Sequence, residues 1–254
     1  MTTSGGTRTS FSALRALSSA ADVGRAAAEG LIALLFPPHC IRCGGTLARL
    51  GVLCPTCEAE LPELSGPRCR RCGEALARPD VDLCMRCGTQ RRAVDRFASL
   101  GPYNGPWGEL VRALKFDGER AVGRYLSARM AQRVRASDLV DAFDLITFVP
   151  MWPADRRERG FNQAQVLAAG LGRRLQRPVR RLLAKRRWTP PQGRLHAAAR
   201  RENLRGAFEL LRYGKERVLL VDDIGTTAST VEACAGVLRQ GGYASVSVLT
   251  VARA

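Results

Sequence analysis

Eight of the nine cysteines fall between Cys40 and Cys87 as four Cys-x-x-Cys pairs: Cys40/Cys43, Cys54/Cys57, Cys69/Cys72 and Cys84/Cys87. A two-residue spacer brings both sulfurs of a pair to one ion, and soft thiolates suit zinc, with Zn–S distances of about 2.3 Å. The stretches "CIRCGGTLARLGVLC" and "CRRCGEALARPDVDLC" share the pattern C-x-R-C-G-x-x-L-A-R, so the cysteines form an internal repeat. Each repeat supplies four thiolates, a complete tetrahedral set. Gly44, Gly73 and Gly88 follow the second cysteine of three pairs, where a tight knuckle favours a residue tolerant of positive φ. A disulfide framework would suit an exported chain, and no export signal is legible; iron–sulfur ligation draws less support from the even spacing. Two structural zinc ions are therefore expected. Sequential duplication predicts one metal within each repeat rather than an interleaved cross-brace, and a segment so poor in apolar residues is expected to fold only with metal. His39 is read as a neighbour of the first pair, His196 takes no catalytic role, and Cys234 is read as a small buried hydrophobe.

A second constellation lies near the other end, in "VLLVDDIGTTAST" over residues 218–230. An apolar strand runs into Asp222 and Asp223, and Thr226, Thr227, Ser229 and Thr230 follow at the start of a helix. Backbone N–H groups and the helix dipole make such a turn an anion site, and hydroxyls add donors. Acids beside it suit sugar hydroxyls or a divalent cation. A single threonine there would be read as a helix cap, but two adjacent acids with four hydroxyls exceed what a cap requires.

The elements that must position these residues alternate. "FASLGPYNG" reads as a strand and turn, and "GPWGELVRALKFDGE" places Trp107, Leu110, Val111 and Leu114 at helical spacing. "DLITFVP" is a buried strand, followed after a loop by a helix over about 162–176. "VLLVDD" is another strand, "ASTVEACAGVLRQGG" an amphipathic helix with a glycine stop, and "ASVSVLTVARA" a final strand. Strand–helix alternation implies a mainly parallel sheet covered on both faces, with ligands beyond the carboxyl ends of its strands.

At 254 residues, 46% hydrophobic, the chain suits one principal core with a smaller appendage. The expected domains are a tail and short helix over 1–35, a double zinc ribbon over 36–92 and an α/β domain over 93–254. Residues 1–20 read as flexible and 21–36 as a short docking helix. A transit peptide has similar composition, but Asp22 and Glu29 count against it; no apolar run approaches a membrane span, and a cytoplasmic location is expected. The net charge of +17 favours anionic partners, although only three of the forty basic residues are lysines, a bias that composition alone can produce. Position therefore counts for more than total charge. In "RRERGFNQ" a strand end, Gly160 and Phe161 favour a formed site over a solvated loop. "KRRWTPPQGRLHAAARRENLRGAF", with Trp188 among many arginines, reads equally as a hood over a site, a strip for single-stranded nucleic acid, or a surface loop.

"VLLVDDIGTTAST" resembles the phosphoribosyl pyrophosphate (PRPP) motif of type I phosphoribosyltransferases. "VPMWPADRRERGFNQAQVLA", "RRWTPPQGRLHAAARRENLRGAF", "ALKFDG" and the cysteine-rich start together resemble the ComF/GntX family of competence-associated proteins, from about residue 35 onward. The resemblance implies a type I phosphoribosyltransferase-like fold. It implies that Asp222 and Asp223 hold the ribose hydroxyls with magnesium nearby, and that Thr226, Thr227, Ala228, Ser229 and Thr230 cradle the 5-phosphate. Ala228 departs from the family pattern, which has glycine there. The loop after Pro150 corresponds to the diphosphate loop, with Arg156, Arg157 and Arg159 against the leaving group. The implied activity is phosphoribosyl transfer to an unidentified acceptor. The alternative is a non-catalytic protein that binds single-stranded DNA through Arg186, Arg187, Arg200 and Arg201, with protein partners in DNA uptake.

Overall fold

The computed structural model describes residues 38–90, 92–116, 120–189, 204–225 and 229–254. The expected tail and helix over 1–35, His196, Arg200, Arg201, Thr226, Thr227 and Ala228 lie outside the described residues. The chain divides into two compact units, Met1–Glu58 and Ala59–Ala254.

In the first unit the Cys40 N–H donates to the Gly45 carbonyl at 2.8 Å and the Ile41 N–H to the Val52 carbonyl at 3.0 Å, which closes a knuckle. Gly44 takes φ 71°, the left-handed conformation expected there. A one-turn helix α1 (Pro55–Ala59) carries Cys57, and Leu47, Val52 and Leu53 are the buried apolar side chains around the thiols.

The second unit begins with the same design. Cys69 N–H donates to Glu74 O at 2.8 Å and Arg70 N–H to Asp82 O at 3.0 Å, and Gly73 takes φ 72°. Helix α2 (Met85–Thr89) carries Cys87. Gly88 lies inside this helix rather than at a positive φ, so the knuckle argument holds for two of the three glycines.

The remainder builds an all-parallel sheet from β1 (Arg96–Pro102), β2 (Leu145–Phe148), β5 (Arg217–Gly225) and β6 (Ser245–Arg253), in the order β1-β6-β5-β2. Strands covered on both faces need no polar alternation, and β2 and residues 218–221 are wholly buried. The pairings Phe148↔Val221 and Asp222↔Thr250 set the register that brings the acids to the carboxyl edge. Helices α3 (Pro106–Phe116), α4 (Arg120–Arg135), α6 (Gln163–Leu175) and α7 (Ser229–Gln240) flank the sheet. Here the structure bears out the parallel α/β class expected of a type I phosphoribosyltransferase-like chain.

Three features differ from the sequence reading. The stretch after Pro150 is not a simple loop: it holds α5 (Pro153–Arg159), opened by a proline at its first turn and stopped by Gly160 at φ 80°. The basic segment is carried by an antiparallel hairpin, β3 (Leu183–Lys185) with β4 (Phe208–Leu210). Helix α4 was not anticipated, although Val122, Leu126, Met130 and Val134 recur every four residues and all are buried.

Candidate functional site

At the carboxyl edge of the sheet a cavity of about 230 Å³ is lined by Asp222, Asp223, Thr230, Arg159, Lys115 and Lys185 among others. Strand β5 continues past the acids to Gly225 because β6 pairs with it that far, so the carboxylates sit on a rigid strand rather than a loop. The Asp223 N–H donates to Asp222 Oδ1 at 2.9 Å. Lys115, in the last turn of α3, places Nζ 2.7 Å from Asp223 Oδ2. Burial, and then the charge of Asp223, push the Asp222 carboxyl well above the usual carboxylate range. A divalent cation would relieve both effects, and two carboxylates are hard oxygen donors suited to magnesium.

Asn162, which also lines the cavity, caps α6: its Oδ1 accepts from the Ala164 N–H at 3.0 Å while Nδ2 donates to the Val149 carbonyl at 3.0 Å. This buried amide therefore fixes both the end of β2 and the start of α6. Asn162→Ala removes the cap and strands the Val149 carbonyl, so a loss of about 2 kcal/mol in chemical unfolding is expected. The next side chain, Gln163, is 2% exposed; its Oε1 accepts from Arg159 Nη1 at 3.3 Å, and its Nε2 has no partner among the described residues. A buried donor left open beside a cavity points to a ligand.

Of the three arginines expected in the diphosphate loop, Arg159 lines the cavity, while Arg156 and Arg157 are exposed on α5 and are not part of its wall. Ser229 is buried at the first position of α7 and Thr230 faces the cavity. Arg186 forms a two-pronged ion pair with Glu209 across the hairpin, and Arg187 Nη2 donates to the Arg205 carbonyl at 3.1 Å. Trp188 is 52% exposed. Cys234 is fully buried, and burial, with the Asp222 charge, pushes its thiol up, as a structural cysteine requires.

The two repeats each gather their own four sulfurs, Cys40, Cys43, Cys54 and Cys57 in one and Cys69, Cys72, Cys84 and Cys87 in the other, all within 4.8 Å of one another. Cys43 Sγ lies 3.8 Å from Cys54 Sγ, and Cys72 Sγ 3.7 Å from Cys84 Sγ. A tetrahedron with bonds of about 2.3 Å has edges of about 3.8 Å, so the sulfurs already stand where zinc would hold them. The sequential arrangement is the one expected, and His39 is not part of either group. Burial, reinforced by Cys54, Cys40 and Cys43, pushes Cys57 up to about 12. Burial opposes ionisation of Cys40 as well, yet hydrogen bonds at Cys43, Cys54 and Arg42 bring it down to about 6. Crowded thiols cannot all ionise without a cation among them.

Residues 31–88 match the double zinc ribbon domain model. Competence protein F of Haemophilus influenzae is 34% identical over 229 residues, 85% of this chain and 97% of that protein. The chain belongs to the ComF family. DNA utilization protein YhgH of Escherichia coli, 32% identical over 175 residues, aligns with 67% of this chain and 77% of its own length. Among solved structures, purine phosphoribosyltransferase from Pyrococcus horikoshii matches at 15% identity and TM-score 0.34, over 52% of this chain and 83% of that one. Orotate phosphoribosyltransferase from Aeropyrum pernix matches at 20% identity and TM-score 0.32, over 52% and 60%. Overlaps of that size carry no weight beside the strand order itself.

In this ComF-family chain the cavity residues Asn162 and Gln163 and the cavity cations Lys115 and Lys185 went unassigned in the sequence. Burial lowers the Lys185 ammonium pKa, with Asp155 opposing. A signal for both cations was present: of three lysines in a chain of forty basic residues, two line this cavity. Among the described residues, no helix is long and apolar enough to cross a membrane.

Proposed function

We propose that this chain binds PRPP with magnesium and transfers its phosphoribosyl group to an acceptor. The observation that carries this reading is that a strand-end carboxylate pair and a buried amide with no partner among the described residues share one cavity. Asp222 and Asp223 receive the ribose hydroxyls, and the first turn of α7, with Ser229 and Thr230, receives the 5-phosphate. Thr226, Thr227 and Ala228 complete that turn in this reading. Arg159 and the Gln163 amide meet the diphosphate, with Arg156 and Arg157 adding charge at the rim. In the transfer the C1–O bond breaks, its electron pair leaves with diphosphate, and a lone pair of the acceptor forms the new bond at C1. Magnesium supplies neutralisation of the diphosphate charge. Fixed cations and donors at the leaving group then stabilise the transition state electrostatically.

Binding of single-stranded nucleic acid is a second reading. The names of the relatives, which speak of competence and DNA utilization, favour it, as do α4 and α6, which carry Arg124, Arg135 and Arg173 exposed and no acidic residue. Arg186 and Arg187 already hold partners in the hairpin, and in this reading they exchange Glu209 and the Arg205 carbonyl for nucleic-acid phosphates.

One experiment separates the readings. Calorimetric titration with PRPP and magnesium is expected to give saturable one-to-one binding, and its absence overturns the first. Titration with single-stranded DNA at several salt concentrations tests the second, because each lost phosphate contact lowers the salt slope by about 0.7.

A further inference from the structure

The guanidinium of Arg253, at the end of β6, joins two places far apart in sequence. Its Nε donates to the Cys72 carbonyl at 3.1 Å, inside the second cysteine repeat. Its Nη1 donates to the Gly225 carbonyl at 3.2 Å, on the last residue of β5, and Nη2 lies 3.7 Å from Glu74 Oε2. The side chain is only 12% exposed. The same seam is filled by the Phe97 ring of β1. A Cβ added at Gly73 would come within 2.6 Å of that ring, and one added at Gly225 within 2.5 Å of its far end. Both backbones therefore pack directly on one aromatic side chain, and the Phe97 N–H donates to the Arg70 carbonyl at 2.6 Å.

A planar fork with five donors can reach several acceptors in different directions at once, which an ammonium cannot do at this span. The Cys72 carbonyl belongs to a turn whose shape is set by the sulfurs it presents. When those sulfurs share an ion the turn is fixed; when they do not, crowded thiols repel or reorganise and the carbonyl moves. Gly225 stands two residues beyond Asp223 and four before Ser229.

We propose that Arg253 is a positioning residue: it fastens the knuckle Cys69–Cys72 to the carboxyl end of β5, so that metal in the second repeat holds Asp222 and Asp223 in register with α7. The consequence for ligand affinity rests on the PRPP reading; the mechanical coupling does not.

The test uses the zinc-loaded full chain as wild type, Arg253→Met, Arg253→Lys and, as a surface control, Arg78→Ala. Amide hydrogen exchange over 218–225 is read beside calorimetry with PRPP and magnesium. Arg253→Met is expected to keep both zinc ions, exchange roughly tenfold faster over 218–225 and bind PRPP about tenfold more weakly, the scale of one charge-assisted hydrogen bond. Arg253→Lys falls between, and Arg78→Ala matches wild type. Stripping zinc from wild type with a chelator is expected to accelerate the same segment. Unchanged exchange over 218–225 in Arg253→Met overturns the coupling. Should that variant lose its secondary structure, the Lys variant and the chelator arm make the same comparison. Wild type that binds no PRPP, while exchange still responds, removes the ligand reading and leaves the coupling standing.

Discussion

Replacing Asp222 and Asp223 together by Asn is expected to abolish PRPP binding, a loss of at least ~100-fold or about 2.7 kcal/mol, while the fold survives. The amide matches the carboxyl in shape but carries no charge to attract magnesium. The change also leaves Lys115 Nζ, now 2.7 Å from Asp223, without its counter-charge. Calorimetry on the double variant reads the first effect; binding as tight as wild type would remove the acids from the site.

The single apo variant Asp222→Asn, which keeps the Lys115–Asp223 ion pair, is expected to gain stability, and its pH dependence identifies the source. Burial and the neighbouring charge of Asp223 raise the Asp222 carboxyl pKa in the folded state. The native chain therefore holds this proton above pH about 4, where the unfolded chain has released it. With more protons on the folded side, stability falls as pH rises from there toward the raised folded value. Asp222→Asn removes that dependence. Urea unfolding at a series of pH values should show the variant's advantage growing from about pH 4 upward; an advantage constant with pH would assign the gain to something other than this carboxyl.

The largest effect expected is that of zinc removal. Purified protein should contain two zinc ions per chain, one for each group of four cysteines. Structural zinc contributes about 10–16 kcal/mol of apparent binding energy, far above what the few buried apolar side chains of the first repeat supply. Chelation is therefore expected to unfold residues 38–58 entirely, seen as complete loss of amide protection there. Cys40→Ser should lose one zinc and keep the second, as elemental analysis would show. Joint loss of both ions from that single substitution would indicate that the two groups are not independent.

The zinc sites and the acidic strand end were legible because local spacing alone determines them. A Cys-x-x-Cys turn presents two sulfurs whatever surrounds it, and an apolar run ending in acids before a hydroxyl-rich helix start places those acids at the edge of a parallel sheet. Pairing of repeats followed from the duplication, and the alternation of strands and helices determined the α/β class. Other features depended on what the folded chain brings from a distance. Sequence shows Lys115 as one charge in an amphipathic helix; only the packing of α3 against the sheet sets it on Asp223. Arg156, Arg157 and Arg159 are indistinguishable in a string of letters, but on a helix they point in different directions, and only the last faces the cavity. Arg186 looked available until the β3–β4 pairing brought Glu209 across from it. The Arg253 bridge spans residues 72, 225 and 253, and no local pattern encodes one guanidinium donating to two carbonyl oxygens so far apart in the chain. Spacing along the chain sets which groups a turn or strand can present, while the register of β5 with β6 and the docking of the second repeat decide which of them meet.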